Sequence, residues 1–467
     1  MQFVFSAINL GCTKNLVDTQ YLLGKIFSEQ VKKQFLYCPE PYDAEVKLVF
    51  LNTCGFIASG RNEMFATVDE LLEAGKMVCV LGCGLQYFQK LMKDLEIAAS
   101  STRNDGDHDT ESGDRQKLVE DERVQFLSWD IKTIDVEKLF GANSTEFPGF
   151  SFPGLPRAYT SLELGYEYVK ISECNNSCAF CIIPKIRGKQ VSQPVDTIVR
   201  EVRELVSHGA KEVILIAQDT TRYGVDLIEE RVKSDNFGLI LLKQIDKIEG
   251  EFVYRLLYLY PDVMTMQWFD EMKKLKKFVP YFDLPLQHVS PYLLKRMKRF
   301  FDIDRVRQFL ATIRKSFPES YIRTNIIIFP EKDEHVEELI AFLEEGWFDS
   351  VALFEYHDEV LAPSYDLDEK VDGKTIRKRF RRVKDIVEKN TNASVPPLFL
   401  TPPPAGHLPL SGEAKGYVEG YKNGKVVVRP WLHAPEIDPV VEVKIEDILE
   451  NLSRGDGLGL GDLVLYK

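Results

Sequence analysis

The sequence predicts an α/β protein carrying a smaller all-β module at its C-terminal end. Three observations point there. Short apolar runs alternate with helix-periodic stretches over the first 395 residues. Cysteines recur beside glycines where several of those runs end. After a proline cluster near residue 400, the pattern changes to short Val- and Gly-rich alternating runs. Strand–helix alternation is the signature of parallel sheets covered by helices, and short alternating runs are that of an antiparallel module.

Residues 1–143 read as one α/β domain. An apolar run at 3–10 ends in Gly11-Cys12, a run at 46–51 leads to Asn52-Thr53-Cys54-Gly55, and a run at 78–81 ends in Gly82-Cys83-Gly84. Each leads into a helical stretch, the first with Leu16, Tyr21, Leu22 and Ile26 on one face. Strand C-terminal ends of a parallel sheet share one edge, so Cys12, Cys54 and Cys83 can converge although far apart in sequence. Residues 100–123 carry twice as many acidic as basic residues and little apolar content, and read as a solvated insertion. A helix is expected at 136–140 and a Phe/Pro/Gly-rich linker at about 143–160.

Residues 160–395 alternate in the same manner six times. Candidate strands are the runs at 166–171, 213–217, 252–259, 281–286, 322–329 and 351–356, with helices such as 195–207 and 335–345 between them. Six βα units form a partial or complete parallel barrel. The basic run Lys374–Lys384 reads as the solvated face of a helix. Beyond the prolines at 396–404, residues 405–467 read as a small β domain.

The composition narrows the function. Hydrophobic residues make up 44% of the 467, as in a folded globular protein, and 59 Lys+Arg against 72 Asp+Glu leave a net charge of −13. That balance disfavours a general nucleic-acid coat. No apolar run reaches the length of a membrane span, and the N-terminus lacks the charged start of a secretory signal; a cytoplasmic location is expected. Eight cysteines in so long a chain do not suggest a disulfide scaffold.

Three of the eight form Cys174-Asn-Asn-Ser-Cys178-Ala-Phe-Cys181. Thiolates at that spacing lie on one irregular loop and suit an iron–sulfur cluster, zinc or copper(I). Structural zinc takes four protein ligands, and the loop supplies three. A cubane held by three cysteines leaves one iron open. Gln218, Asp219 and Thr220 end one barrel strand, Gln287 and His288 another, and Arg323 and Asn325 interrupt an apolar strand. Groups at barrel strand ends are where such folds place chemistry.

The cysteine loop, its position after a strand, and Ile182-Ile-Pro-Lys-Ile-Arg-Gly188 resemble the radical S-adenosylmethionine (SAM) superfamily, more narrowly its methylthiotransferases. Asn9–Asp18, Asn52–Ile57, Ala217–Gly224 and Leu286-Gln-His288 are similar to the branch that modifies an aspartate of a ribosomal protein, the RimO type. The resemblance covers nearly the whole chain, apart from residues 100–123. It implies an N-terminal methylthiotransferase domain, a radical SAM barrel and a C-terminal TRAM domain. It also implies two [4Fe–4S] clusters, one on Cys174, Cys178 and Cys181 that binds SAM, and an auxiliary one on Cys12, Cys54 and Cys83. Phe180, Gln218, Asp219, Arg323 and Asn325 are then candidates for cofactor contacts, while Cys38 and Cys79 stay structural. Ile328-Phe-Pro-Glu-Lys-Asp333 departs from the family's Gly-Phe-Pro-Gly-Glu turn, Glu173 replaces the usual glycine before the first loop cysteine, and Pro439 follows Ala434–Asp438 in place of glycine.

The expected reaction is methylthiolation of the β-carbon of an aspartate in small-subunit ribosomal protein twelve, with an electron donor and a sulfur source as further partners. From Ser411 to Lys467 ten acidic residues outnumber seven basic ones, which suits a basic protein substrate better than RNA. A tRNA adenosine 2-methylthiotransferase is the second reading, and a noncatalytic iron–sulfur scaffold the third.

Overall fold

The computed structural model describes residues 3–27, 35–56, 58–89, 121–126, 157–227, 237–330, 332–368, 370–392, 414–438, 440–451, 460 and 463–466. Most of the 100–123 insertion, the helix expected at 136–140, most of the 143–160 linker and the proline cluster lie outside them. The chain divides into two compact units: Met1–Tyr159 with Cys181–Gly188, and Thr160–Phe180 with Lys189–Lys467.

The first unit is built on β1 (Phe3–Asn9), β2 (Phe35–Tyr37), β3 (Leu48–Thr53), β4 (Met77–Gly82) and β5 (Val124–Phe126). They pair in parallel in the order β2-β1-β3-β4-β5. Helices Thr13–Ile26 and Ala58–Glu73 connect β1 to β2 and β3 to β4, and residues 83–89 are helical. This is the doubly wound order whose direction reverses between β1 and β3. All six residues of β3 are buried, as its continuous apolar run requires of a central parallel strand. Val49, Leu51, Val78 and Val80 pack with Val68 and Leu71 of the second helix. The edge strands β2 and β5, three residues each, are too short to show a period in the sequence.

The second unit contains the six strands expected: β6 (Tyr166–Lys170), β7 (Glu212–Ile216), β8 (Val253–Leu256), β9 (Tyr281–Asp283), β10 (Tyr321–Ile328) and β11 (Ser350–Glu355). β6-β7-β8 and β9-β10-β11 are parallel sheets. A bridge between Tyr254 and Phe278, and Leu259 N–H donating to the Asp283 carbonyl at 2.8 Å, continue one into the other. Among the described residues β6 and β11 do not pair, so the six strands form an open arc. The basic run falls in helix Gly373–Asn392, which buries Val383 and Val387 and pairs Arg379 with Asp333 at 2.8 Å.

The C-terminal region is an antiparallel sheet of β12 (Ala414–Lys422), β13 (Lys425–Pro430), β14 (Val441–Lys444), β15 (Ile448–Asn451) and β16 (Leu463–Tyr466). Asn423 and Gly424, both at positive φ, make the tight turn that joins its first two strands. Val418, Val426, Val428, Val443, Val464 and Tyr466 form its core.

Buried charge ties this sheet to the barrel. Arg429 is 1% exposed and reaches Glu212 of β7 at 2.8 Å as well as Glu419 at 2.6 Å. Arg255 of β8 also pairs with Glu212 and donates to the carbonyls of Leu432 at 2.8 Å and Trp431 at 3.1 Å. Tyr166 and Tyr168 of β6 donate to Glu436 and to the Pro435 carbonyl, each at 2.9 Å. Tyr166 and Glu212 are the first residues of β6 and β7, so residues 430–438 seat toward the end of the arc opposite the loop that follows β6. One carboxylate serving two buried guanidinium groups is costly to neutralise. Glu212→Gln is expected to lower stability by about 3–5 kcal/mol in chemical unfolding.

Candidate functional site

In the first unit three adjacent parallel strands, β1, β3 and β4, deliver Cys12, Cys54 and Cys83 to the same edge. Cys54 and Cys83 directly follow their strands, and Cys12 caps the helix after β1. The glycines beside them are needed for the close approach. A Cβ on Gly55 would stand 2.2 Å from the Cys83 carbonyl oxygen. Gly82 has φ +90°, and a Cβ there would meet Asn52 Oδ1 at 2.1 Å.

Asparagines lock this edge. Asn15 Nδ2 donates to Asn52 Oδ1 at 2.8 Å and to the Thr53 carbonyl at 3.0 Å. Asn52 Nδ2 returns a bond to the Asn15 carbonyl at 2.9 Å. Asn15 Oδ1 accepts from Arg187 Nη2 at 2.9 Å and faces the thiols, with Cys12 Sγ at 3.6 Å and Cys83 Sγ at 3.8 Å. Arg187, buried at the end of helix Ile183–Arg187, donates from Nε to Cys83 Sγ at 3.2 Å. Crowding opposes ionisation at Cys12, yet Lys14, Arg187 and the backbone N–H groups of Asn15 and Lys14 outweigh it and hold the thiol below its usual pKa. At Cys83 burial wins over Arg187, and the thiol is raised.

In the second unit the loop after β6 carries Cys174, half-buried, and Cys178, buried. Ala179 pins that loop by both its backbone groups, N–H to the Met297 carbonyl at 2.9 Å and carbonyl to the Ser364 N–H at 2.8 Å. Asp219, 2% exposed after β7, accepts from Asn176 Nδ2 at 2.7 Å and from Thr221 N–H at 3.1 Å, with Arg222 at 3.3 Å. Its carboxylate is thus engaged in fixing the cysteine loop. Arg299, buried, points Nη1 at Cys178 Sγ at 3.7 Å and lies over the Tyr260 ring at 4.0 Å.

The other expected residues are more dispersed. Phe180 and Gln218 are half-buried, and Cys181 is half-buried within the first unit. Arg323 and Asn325 share the half-buried face of β10. Arg323 is taken up by Asp283 at 2.9 Å, with Asp438 at 3.9 Å. Asn325 Oδ1 is buried with no hydrogen-bond partner among the described residues. Tyr258 and Gln287, beyond the ends of β8 and β9, hold positive φ, a strained backbone more common at functional sites than elsewhere. His288 is fully buried and accepts from the Ser290 N–H through Nδ1, a turn-fixing role. Cys79 lies inside β4, where burial pushes its thiol up to about 12.

The donor chemistry fits iron–sulfur clusters. Among the described residues no three Cys, His, Asp or Glu side chains already surround a point that one ion could occupy. A cubane is bound at separate irons, so its thiolates stand further apart than the ligands of a single ion. The sequence did not reveal the roles of Asn15, Arg187, Asn176 and Arg299. Asn15, Asn176 and Arg187 lie inside the motifs quoted above, but a motif does not say which atom a side chain meets.

Residues 168–343 match the radical SAM superfamily, and residues 5–101 match the uncharacterized protein family UPF0004. The ribosomal protein uS12 methylthiotransferase RimO of Dictyoglomus thermophilum is 34% identical over 460 residues, covering 96% of this chain and 94% of that protein. Its counterpart in Thermotoga maritima is also 34% identical, over 94% of this chain and 95% of that one. The chain belongs to this RimO-type methylthiotransferase family. The Aquifex aeolicus member is 33% identical, with 96% and 92% coverage. Among solved structures, the radical SAM methyltransferase TsrM of Kitasatospora setae aligns with a TM-score of 0.48 at 13% identity, over 78% of this chain and 77% of that one. Membership of the methylthiotransferase family makes the enzyme a transferase, and no described helix is long and apolar enough to cross a membrane.

Two predictions follow from the cysteine loop. Burial pushes the Cys174 thiol up to about 11, against the Asn176 N–H 3.3 Å from its sulfur. Iron must displace that proton, so loading of the loop becomes more favourable as pH rises toward 11. With Cys12, Cys54 and Cys83 replaced by alanine, anaerobic iron uptake should be greater at pH 9 than at pH 7, with proton release measurable by calorimetry in two buffers. Asp219→Ala frees Asn176 and should weaken iron retention by the loop about 10–100-fold in chelator competition.

Proposed function

We propose that this enzyme adds a methylthio group to the β-carbon of an aspartate in ribosomal protein uS12, in the cytoplasm, using SAM and two [4Fe–4S] clusters. The observation that carries the reading is the pairing of two cysteine triads in one chain. Cys174 and Cys178 lie on the loop after the first strand of a parallel arc, with Cys181 three residues further on, and the other triad follows the ends of three adjacent strands of the α/β unit. Identity of 34% to RimO proteins along almost the whole length supports the same reading.

Cys174, Cys178 and Cys181 would hold one cluster, and Cys12, Cys54 and Cys83 the other. When bound, the clusters and SAM supply the one-electron chemistry by which an unactivated C–H gives way to C–SCH3. The chain's own groups do the positioning. Asp219 and Ala179 fix the shape of the first loop, and Asn15 and Asn52 hold the edge that carries the second triad. Asn325 offers a buried acceptor for a cofactor N–H or O–H, and Phe180 and Gln218 stand near the loop in sequence or at a strand end. The acidic balance of residues 411–467 favours a basic protein substrate, and an electron donor and a sulfur source complete the reaction.

Mass spectrometry of ribosomal proteins and tRNA from cells lacking the gene tests the assignment. The expected outcome is loss of about 46 Da from uS12 with tRNA unchanged. Loss of the methylthio group from tRNA would assign the adenosine reaction instead.

A further inference from the structure

Arg187 spends its charge beside the cysteine-bearing edge of the first unit. It is 5% exposed, at the last position of a five-residue helix that stops at Gly188 with φ +79°. Asp18 Oδ2 pairs with its Nη2 at 3.3 Å. The same Nη2 donates to Asn15 Oδ1 at 2.9 Å, and Nε donates to Cys83 Sγ at 3.2 Å. Asn15 Oδ1 is the same oxygen that Cys12 and Cys83 approach. A small cavity lined by Asp18, Asn52, Gly82, Cys83, Gln86 and Arg187 opens beside these groups.

A guanidinium buried to that degree is expensive unless anions surround it. A Cys83 thiolate, 3.2 Å from Nε, would be one such anion. A cationic N–H donated to a ligand sulfur draws charge from the cluster, so it favours the form that carries one more electron. Hydrogen bonds to sulfur are among the levers that set cluster potentials, and here the donor comes from a helix that begins two residues after Cys181.

We propose that Arg187 is a positioning residue that raises the reduction potential of the cluster held by Cys12, Cys54 and Cys83. The inference rests on the ligand reading given under Proposed function. The process is uptake of one electron from a low-potential reductant, with no bond made or broken.

The test uses the full chain with Cys174, Cys178 and Cys181 replaced by alanine, reconstituted anaerobically so that only the N-terminal cluster remains. Titration with titanium(III) citrate, followed by electron paramagnetic resonance, gives the midpoint with Arg187, with Arg187→Lys and with Arg187→Gln. At the midpoint of the Arg187 protein, Arg187→Gln should show a reduced-to-oxidised ratio lower by about tenfold or more, which is about 59 mV for a one-electron couple. Arg187→Lys, which keeps the charge without the aligned Nε–H, should fall between the two. Equal iron content with superimposable titrations in all three proteins would overturn the proposal and leave Arg187 as a structural partner of Asp18. Loss of iron from both variants would overturn it as well, by making Arg187 necessary for holding the cluster. Retention of the whole cluster signal in Cys83→Ala would instead sink the ligand reading.

Discussion

Parallel pairing of neighbouring strands is the constraint on which both candidate centres depend. In a parallel sheet every strand ends at the same edge, so residues just past the ends of adjacent strands meet whatever their separation in sequence. β1, β3 and β4 are adjacent, and Cys12, Cys54 and Cys83 are brought to one edge by that fact alone. The loop after β6 and the segment after β7 meet in the same manner, which is why Asn176 and Asp219, 43 residues apart, share a hydrogen bond. A shift of one residue in either register would turn these groups to the wrong face.

Close approach at such an edge has a steric condition and a polar one. Gly55 and Gly82 meet the first, because a side chain at either would collide with the neighbouring strand end. Asn15 and Asn52 meet the second, exchanging bonds with each other and with buried backbone groups that would otherwise be unsatisfied. The sulfurs of Cys12 and Cys83 therefore face amide or guanidinium groups where a packed core would offer only hydrocarbon. Cys79 is the contrast within the same sheet, a buried strand thiol whose pKa burial drives up to about 12.

At the other end of the arc a different logic applies. Glu212 of β7, Arg255 of β8 and Arg429 join the barrel strands to the C-terminal sheet through fully buried charge. The arrangement makes residues 430–438 part of the barrel's own end. The acidic C-terminal module is therefore a fixed piece of the second unit, carried in register with the strands whose far ends hold the cysteine loop.

Much of this was legible in the sequence. The six apolar runs of residues 160–395 each contain or border an observed strand, because buried parallel strands need continuous hydrophobic stretches. The three Cys–Gly strand ends of the first unit could be read for the same reason, and the motif resemblance named the family. The three-residue strands β2 and β5 could not be seen, since an edge strand that short has no period. Nor could the chain reveal that Asp219 would be consumed in holding Asn176, that Arg323 would be taken by Asp283, or that Arg187 would aim at Cys83. Residue type and spacing along the chain determine which groups reach a strand end. Which atom then faces which is decided by the packing of elements distant in sequence, and only the folded structure contains it.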